Sequence, residues 1–96
     1  MTLLGYLPVT NNADETYNIT ILNTTYILRQ LYNTIGFWTI SIADNNNNSI
    51  VDGVKVCTGV NMLEQYPQLL FDLYIIDNII PTRDNFKDLF IGVYEK

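Results

Sequence analysis

The sequence of 96 residues contains no histidine, only one cysteine and only five basic residues. Cys57 has no second cysteine to pair with, so an intrachain disulfide is excluded, and with it the class of small secreted domains held by disulfides. A nucleophilic cysteine usually needs a base beside it, and the chain offers no imidazole for that role. We therefore interpret Cys57 as a small buried apolar residue.

Positive charge is scarce and scattered. The formal net charge is -5, and the basic residues are Arg29, Lys55, Arg83, Lys87 and Lys96. Because these residues lie far apart, no basic run could follow a phosphate backbone. We expect no nucleic-acid partner.

Long apolar runs are also lacking. No segment approaches the roughly 20 apolar residues that a membrane-spanning helix needs. The start, "MTLLGYLPVT", has no basic region and too short an apolar run for a signal peptide. We expect a protein of a soluble compartment with no membrane partner.

The composition that remains is that of a folded domain. Hydrophobic residues make up 48% of the chain and aromatic residues 12%, which is enough apolar surface to offset chain entropy. The length suits one domain over residues 1–96 and leaves little room for a second.

Apolar residues alternate with polar ones along much of the chain, as in half-buried strands. "TYNITIL" and "YILRQLY" predict a hairpin across the turn "NTT", and "FWTISIA" has the clearest alternation. "SIVDGVKV" predicts a strand with a turn or bulge at Gly53, and "DLFIGVYE" predicts a closing strand. "LLFDLYIID" is apolar on both faces, as expected of a more fully buried strand or one covered by a partner.

Together these segments predict an all-β fold, a small antiparallel β-barrel or sandwich of about six or seven short strands. Between residues 61 and 66, before Pro67, one short helical turn and an irregular loop are equally compatible with the sequence. We assign six side chains to the core: Ile19, Ile21, Leu28, Trp38, Ile40 and Ile42.

The stretch "ADNNNNSIVDG", residues 43–53, invites comparison with a calcium-binding loop. Counted from Asp44, Ser49 occupies the position of the required Gly, and Lys55 occupies that of the bidentate Glu. A cation in place of the strongest anionic ligand removes the main source of affinity. We predict a turn between strands, with no metal site and no cofactor.

Acidic residues are concentrated in the last quarter, at Asp72, Asp77, Asp84 and Asp88. Paired carboxylates can serve as general acid and base, but a domain of this size can hardly build the cleft that a glycosidase needs. We predict no catalytic residues and no enzymatic activity. Residue chemistry alone indicates a small acidic β domain built for contact, and it does not name a partner.

The order of features along the chain resembles that of the small baseplate plug proteins of contractile-tailed bacteriophages. The similar segments are "YNITI" at residues 17–21, "YILRQLYN" ending at Asn33, "GFWTISIAD" with Trp38, "SIVDGVKVCTGVNMLEQYP" and "PTRDNFKDLFIGVY". Two turns depart from the family pattern. "DNNNNS" replaces a turn that often carries Asp-Gly. In "DNFK", Lys87 replaces the Gly that often follows the apolar residue after Asp-Asn.

The resemblance implies a non-enzymatic structural protein of the virion, located at the tail baseplate and assembled in the host cytoplasm. It would seal or connect the central tail hub. Expected partners are other baseplate or tail hub proteins, with several copies of the chain in the assembled tail. The candidate interface residues are Leu3, Leu4, Tyr6, Leu7, Phe71 and Tyr74. These residues belong to the apolar amino-terminal segment and to the strand at residues 69–76, and both segments could instead simply close the barrel.

An alternative from another class is a free-standing carbohydrate-binding β module that uses tyrosines and Trp38 as stacking platforms. The two hypotheses differ in where Trp38 lies. A stacking platform must be accessible, whereas a core tryptophan is protected.

Overall fold

The computed structural model describes residues 2–96, and these form seven strands in two antiparallel sheets with no closed barrel. The strands are β1 (Thr2–Tyr6), β2 (Asp14–Ile21), β3 (Thr24–Tyr32), β4 (Trp38–Ala43), β5 (Ser49–Lys55), β6 (Phe71–Ile75) and β7 (Ile91–Glu95). The all-β prediction is confirmed. Of the two architectures left open, the structure has separate sheets rather than a barrel.

The larger sheet has the strand order β2-β3-β4-β5, so each strand pairs with its neighbour in sequence. The predicted hairpin between β2 and β3 turns at Leu22 and Asn23, whose φ angles of 51° and 67° are both left-handed. Two such residues match the twist of a two-residue hairpin, and asparagine tolerates this conformation well. The outward positions of β2 carry the polar residues Asp14, Thr16, Asn18 and Thr20.

The asparagine-rich stretch is a turn held by its first residue. One Asp44 carboxylate oxygen, Oδ1, accepts hydrogen bonds from the backbone N–H groups of Asn46 and Asn48, both at 2.9 Å. These bonds, first among them the one from Asn48, hold the pKa of Asp44 below its ordinary value. After the turn, β5 shifts register against β4 near Gly53, whose φ is +77°, so the bulge predicted there is present.

The smaller sheet has the strand order β1-β7-β6. Its strand β1, which the sequence indicates only as an apolar segment, pairs with β7 and has a register irregularity between Leu3 and Gly5. Leu7 then continues the contact, donating its N–H to the carbonyl of Ile91 at 3.0 Å. The first and last segments of the described chain therefore lie side by side.

One hydrophobic core joins the inner faces of both sheets. Among the residues assigned to it from sequence, Ile21, Leu28, Trp38, Ile40 and Ile42 are buried, and Ile19 is partly buried and packs against them. Further buried side chains come from the smaller sheet and the long connections: Leu63, Leu69, Phe71, Leu73, Ile75, Phe86 and Ile91. The core is thus shared between the sheets rather than enclosed by one of them.

A buried amide anchors the connection from β1 to β2. Gln30 is fully buried, and its Nε2 donates to the carbonyls of Thr10 and Asn12 at 2.9 and 2.8 Å. Its Oε1 accepts from the backbone N–H of Thr10 at 3.2 Å. Because each buried polar atom of the side chain has a partner, Gln30 can lie in the core and still fix the crossing segment.

No helix forms at residues 61–66. This segment makes successive turns, and the N–H of Met62 donates to the carbonyl of Leu73 while that of Leu63 donates to Asp72. Six residues that end before a proline are too few to offset the cost of helix nucleation, and the bonds to β6 fix the backbone instead. Among residues 2–96 the one helical element is a 3-10 turn at Phe86–Asp88.

Trp38 holds the connection between β6 and β7 against the larger sheet. Its indole stacks on the Phe86 ring with centroids 4.0 Å apart and planes inclined by 6°, and its Nε1 donates to the carbonyl of Thr82 at 2.7 Å. The Arg83 guanidinium lies 5.6 Å from the Trp38 ring centroid. A buried aromatic pair with a satisfied N–H is a strong local anchor.

Candidate interaction surface

The outer face of the smaller sheet carries exposed aromatic and aliphatic side chains, and we call it the aromatic face. Cross-strand pairing places Leu3 opposite Tyr94, and both Tyr6 and Tyr74 opposite Gly92. Side chains that are paired across antiparallel strands project from the same side of the sheet. The face consists of Leu3, Tyr6, Tyr74, Ile76, Phe90 and Tyr94.

Ring contacts hold the aromatic face together. Tyr6 and Phe90 meet edge to face with centroids 5.5 Å apart, and Tyr74 and Tyr94 do so at 6.3 Å. The Tyr94 ring lies over Gly92, so close that a Cβ built on that glycine would be 2.6 Å from the ring. The rings therefore cover the centre of the sheet, while Tyr6 remains 52% exposed and Phe90 remains 60% exposed.

The chain covers only one end of this outer face. Asp72 also points outward, yet it is buried. Its Oδ1 accepts hydrogen bonds from the N–H groups of Leu63 and Leu73 at 2.7 and 2.8 Å, so the segment around Leu63 covers this end of the face. Lys96 fixes the covering segment by donating from Nζ to the carbonyls of Leu63 and Tyr66, both at 2.8 Å. The other end of the face has no such cover among the described residues and leaves large apolar side chains in solvent.

Next to the aromatic face lies the free edge of β1. Strands β1 and β2 each end the order of their sheet, and a cleft of about 330 Å³ runs between them. Leu4, which is 41% exposed, lines this cleft together with Ile19 and Ile21. An edge strand presents unpaired backbone N–H and C=O groups, so this side of the molecule offers hydrogen bonds as well as apolar surface.

The structure divides the six candidate interface residues into two groups. Leu3, Leu4 and Tyr6 are exposed, and Tyr74 is half-buried on the aromatic face. Leu7 and Phe71, in contrast, lie in the core at 4% and 0% exposure. The sequence did not indicate the burial of either residue. Leu7 follows directly after the end of β1. Strand β6 is shorter than the apolar run "LLFDLYIID", and alternation within it turns Phe71 inward against Tyr26, with ring centroids 5.2 Å apart.

The surface of residues 2–96 has further features besides the aromatic face and the edge of β1. Another concavity, of about 360 Å³, is lined by residues that include Phe37, Lys55, Cys57 and Ile80. Within residues 2–96, no three acidic or cysteine side chains come together in a metal-binding arrangement. Nor does any helix of this part of the chain have the length and apolar character needed to cross a membrane.

The family model described as cyanophage baseplate Pam3 plug gp18 matches residues 4–95, which is almost the whole chain. The chain belongs to this family. A comparison with curated proteins found no match.

Membership of the baseplate plug family confirms the resemblance seen in the sequence, and it gives the protein a structural role in a phage tail. A plug of a baseplate associates with other baseplate or tail proteins and is located in the tail of the virion. An exposed aromatic face and an open strand edge are features that such an association can use.

Three residues of the aromatic face, Ile76, Phe90 and Tyr94, were not singled out as interface candidates. The alternation in "DLFIGVY" does separate Phe90 and Tyr94 from Ile91 and Val93, so the signal was present. Period two tells which residues share a face, but it does not tell which face is inner. In strand β7 of this plug-family member the aliphatic residues Ile91 and Val93 face inward, and the aromatic residues Phe90 and Tyr94 lie on the outer side.

The position of Trp38 bears on the carbohydrate-binding alternative. Its side chain is 1% exposed, and its ring stacks on Phe86 inside the protein. A sugar platform needs an open ring face. Trp38 therefore belongs to the core of this baseplate plug family member, and it is not available as a platform.

Proposed function

We propose that the chain acts as one domain and as a non-enzymatic structural protein of the phage tail, a plug that seals or connects the central tail hub. The observation that carries this proposal is the family match over residues 4–95. Several copies are incorporated per tail, and they assemble with the other baseplate proteins in the host cytoplasm. The partners are the baseplate or tail hub proteins that surround the plug.

The geometry supports a role that depends on contact. Protein interfaces are enriched in aromatic side chains, and a few such residues near the centre usually dominate the binding energy. Tyr6 and Phe90 have this character, because they touch one another and are both more than half exposed. The unpaired edge of β1 beside them allows a neighbour to add backbone hydrogen bonds.

The test replaces both exposed rings in one variant, Tyr6→Ser/Phe90→Ser. Both side chains lie largely in solvent, so the isolated domain should still fold. We expect the variant to be depleted from tails when it complements a phage that lacks the gene, as measured by quantitative mass spectrometry of purified tails. Light scattering of the purified wild type and variant chains measures self-association in parallel.

The matched control is Ile35→Ser/Ile80→Ser, which also removes two large exposed apolar side chains, at 83% and 76% exposure, but outside the aromatic face. This control should enter tails at the wild type level. Equal incorporation of both double variants would contradict contact through the aromatic face. Absence of the wild type chain from purified tails would contradict the plug function itself.

A further inference from the structure

A concavity of about 260 Å³ on the aromatic face combines aromatic rings with one carboxylate. It is lined by Tyr6, Ile76, Asp77, Phe90 and Tyr94. Tyr6 and Phe90 contact each other edge to face, and Tyr94, at 7% exposure, is closely packed against its neighbours. Ring faces carry the negative part of the aromatic quadrupole, and a cation within about 6 Å of a ring centroid is attracted to them.

Asp77 adds a full negative charge to these rings. The one ion pair found within residues 2–96 joins Arg29 to Asp14, so no basic side chain of the described chain neutralises Asp77. Asp77 is partly exposed and is one of the residues that line the concavity. The site thus has acceptors and ring faces but no internal cation.

We infer that this concavity receives the side chain of an arginine from a neighbouring protein subunit of the baseplate. A guanidinium can stack on an aromatic ring and at the same time donate two parallel hydrogen bonds to a carboxylate. Ile76 and the rings of Tyr6 and Phe90 would cover the aliphatic stem of that arginine. The net charge of -5 favours a basic partner surface in the same way.

The arginine comes from a different protein rather than from a second copy of this chain. Four of the five basic side chains already make contacts within the chain: Arg29 with Asp14, Arg83 with the rings of Tyr32 and Trp38, Lys55 with the ring of Phe37, and Lys96 with the carbonyls of Leu63 and Tyr66. Both arginines are among these four. A second copy could supply one only by breaking contacts of its own fold.

The test uses the purified chain and a short probe, the capped tripeptide acetyl-Leu-Arg-Leu-amide. Its counterpart with citrulline in place of arginine has almost the same shape and no charge. In a titration followed by ¹H–¹⁵N NMR, the arginine peptide should shift the signals of Tyr6, Asp77, Phe90 and their neighbours. Asp77→Asn should weaken this binding about twofold to fivefold, as removal of one partner of an exposed ion pair does.

The matched control is Asp52→Asn, which removes the same charge at an exposed position of β5 and should leave binding unchanged. Equal shifts with the citrulline peptide, equal weakening by both Asn variants, or absence of shifts at the concavity would each overturn the inference. A spread of equal shifts over all surface carboxylates would also overturn it, since it would indicate unspecific attraction.

This inference rests on the proposed plug function, and the two can fail separately. Tails assembled with Asp77→Asn should contain less of the chain than tails assembled with Asp52→Asn. If Tyr6→Ser/Phe90→Ser is depleted from tails while Asp77→Asn is incorporated like the wild type, the plug function stands. The inference that the concavity receives an arginine is then refuted. If the wild type chain is absent from tails, the plug function fails, and the peptide titration still measures the cation site.

Discussion

The hydroxyl group of Tyr17 offers a sharp test of how the two sheets pack. Its oxygen is buried and has no hydrogen-bond partner among residues 2–96, while its ring packs against the core. An unsatisfied buried polar group costs about 1–3 kcal/mol relative to one that is paired or solvated. Tyr17→Phe removes the oxygen and keeps the ring, so we expect the variant to be more stable than the wild type by about 1 kcal/mol at neutral pH.

Alkaline pH should enlarge this difference. Burial, helped by the nearby Glu15 carboxylate, raises the pKa of Tyr17 from 10.0 to about 12. Above pH 10 the unfolded chain loses this proton while the folded chain keeps it, so the unfolded state binds fewer protons and the free energy of unfolding falls. The loss begins near the unfolded pKa and is complete once the pH has passed the folded pKa.

The size of the alkaline effect follows from the shift. Each pKa unit corresponds to 1.36 kcal/mol, so a shift of about two units is worth about 2–3 kcal/mol when the titration is complete. At pH 11 roughly half of this loss is present, about 1.4 kcal/mol. Tyr17→Phe lacks the titrating group, so its advantage over the wild type should grow by this amount between pH 8 and pH 11.

Urea unfolding of both proteins at the two pH values measures the difference, with Trp38 fluorescence as the signal. Any change in packing caused by the substitution shifts the free energy equally at both pH values, so the measurement at pH 8 is the internal control. A stability difference that stays constant between the two values would refute the burial of the hydroxyl. So would a variant that is less stable than the wild type at both values.

Three further predictions concern the core and the aromatic face. Gln30→Leu should lower the free energy of unfolding by about 2–3 kcal/mol, because it leaves the N–H of Thr10 without its buried partner; urea unfolding measures the loss. Gly92→Ala should cost about 1–3 kcal/mol in the same assay, since its Cβ would displace the Tyr94 ring, and an unchanged stability would contradict that contact. Native Trp38 fluorescence should resist iodide quenching until the chain unfolds; free quenching would contradict its place in the core and reopen the stacking-platform alternative.

The larger sheet could be predicted from the sequence because its strands follow one another through short turns. Alternation in "FWTISIA" identifies Trp38, Ile40 and Ile42 as one face, and all three are buried. The turn at Asn23 and the bulge at Gly53 each contain a residue type that adopts a left-handed backbone at little cost. Each of these predictions depends on residues close in sequence, where local rules are strongest.

The smaller sheet could not be predicted in the same way, because its pairing joins distant segments. Strand β1 pairs with β7 although most of the chain lies between them, and "TLLGY" does not alternate in a way that indicates a strand. The apolar run before Asp77 extends beyond the end of β6. Period two places Phe71 and Ile76 on opposite faces of the strand, but it does not tell that Phe71 is inner and Ile76 is outer. Four of the six candidate residues therefore lie at the surface and two lie in the core, and Phe90 was identified only from the fold.

The two sheets differ in their outer faces, and this asymmetry connects the fold with the function. The outward positions of β2 carry threonine and asparagine, as expected of a sheet that faces water on one side. A two-layer β fold needs apolar residues only on its inner faces, so the exposed rings of Tyr6 and Phe90 are not explained by the stability of the isolated domain. In a free monomer these rings would be an aggregation liability, whereas the proposed contact with a neighbouring tail subunit would cover them. The aromatic face is therefore where a member of the plug family should differ most between its free and its assembled state.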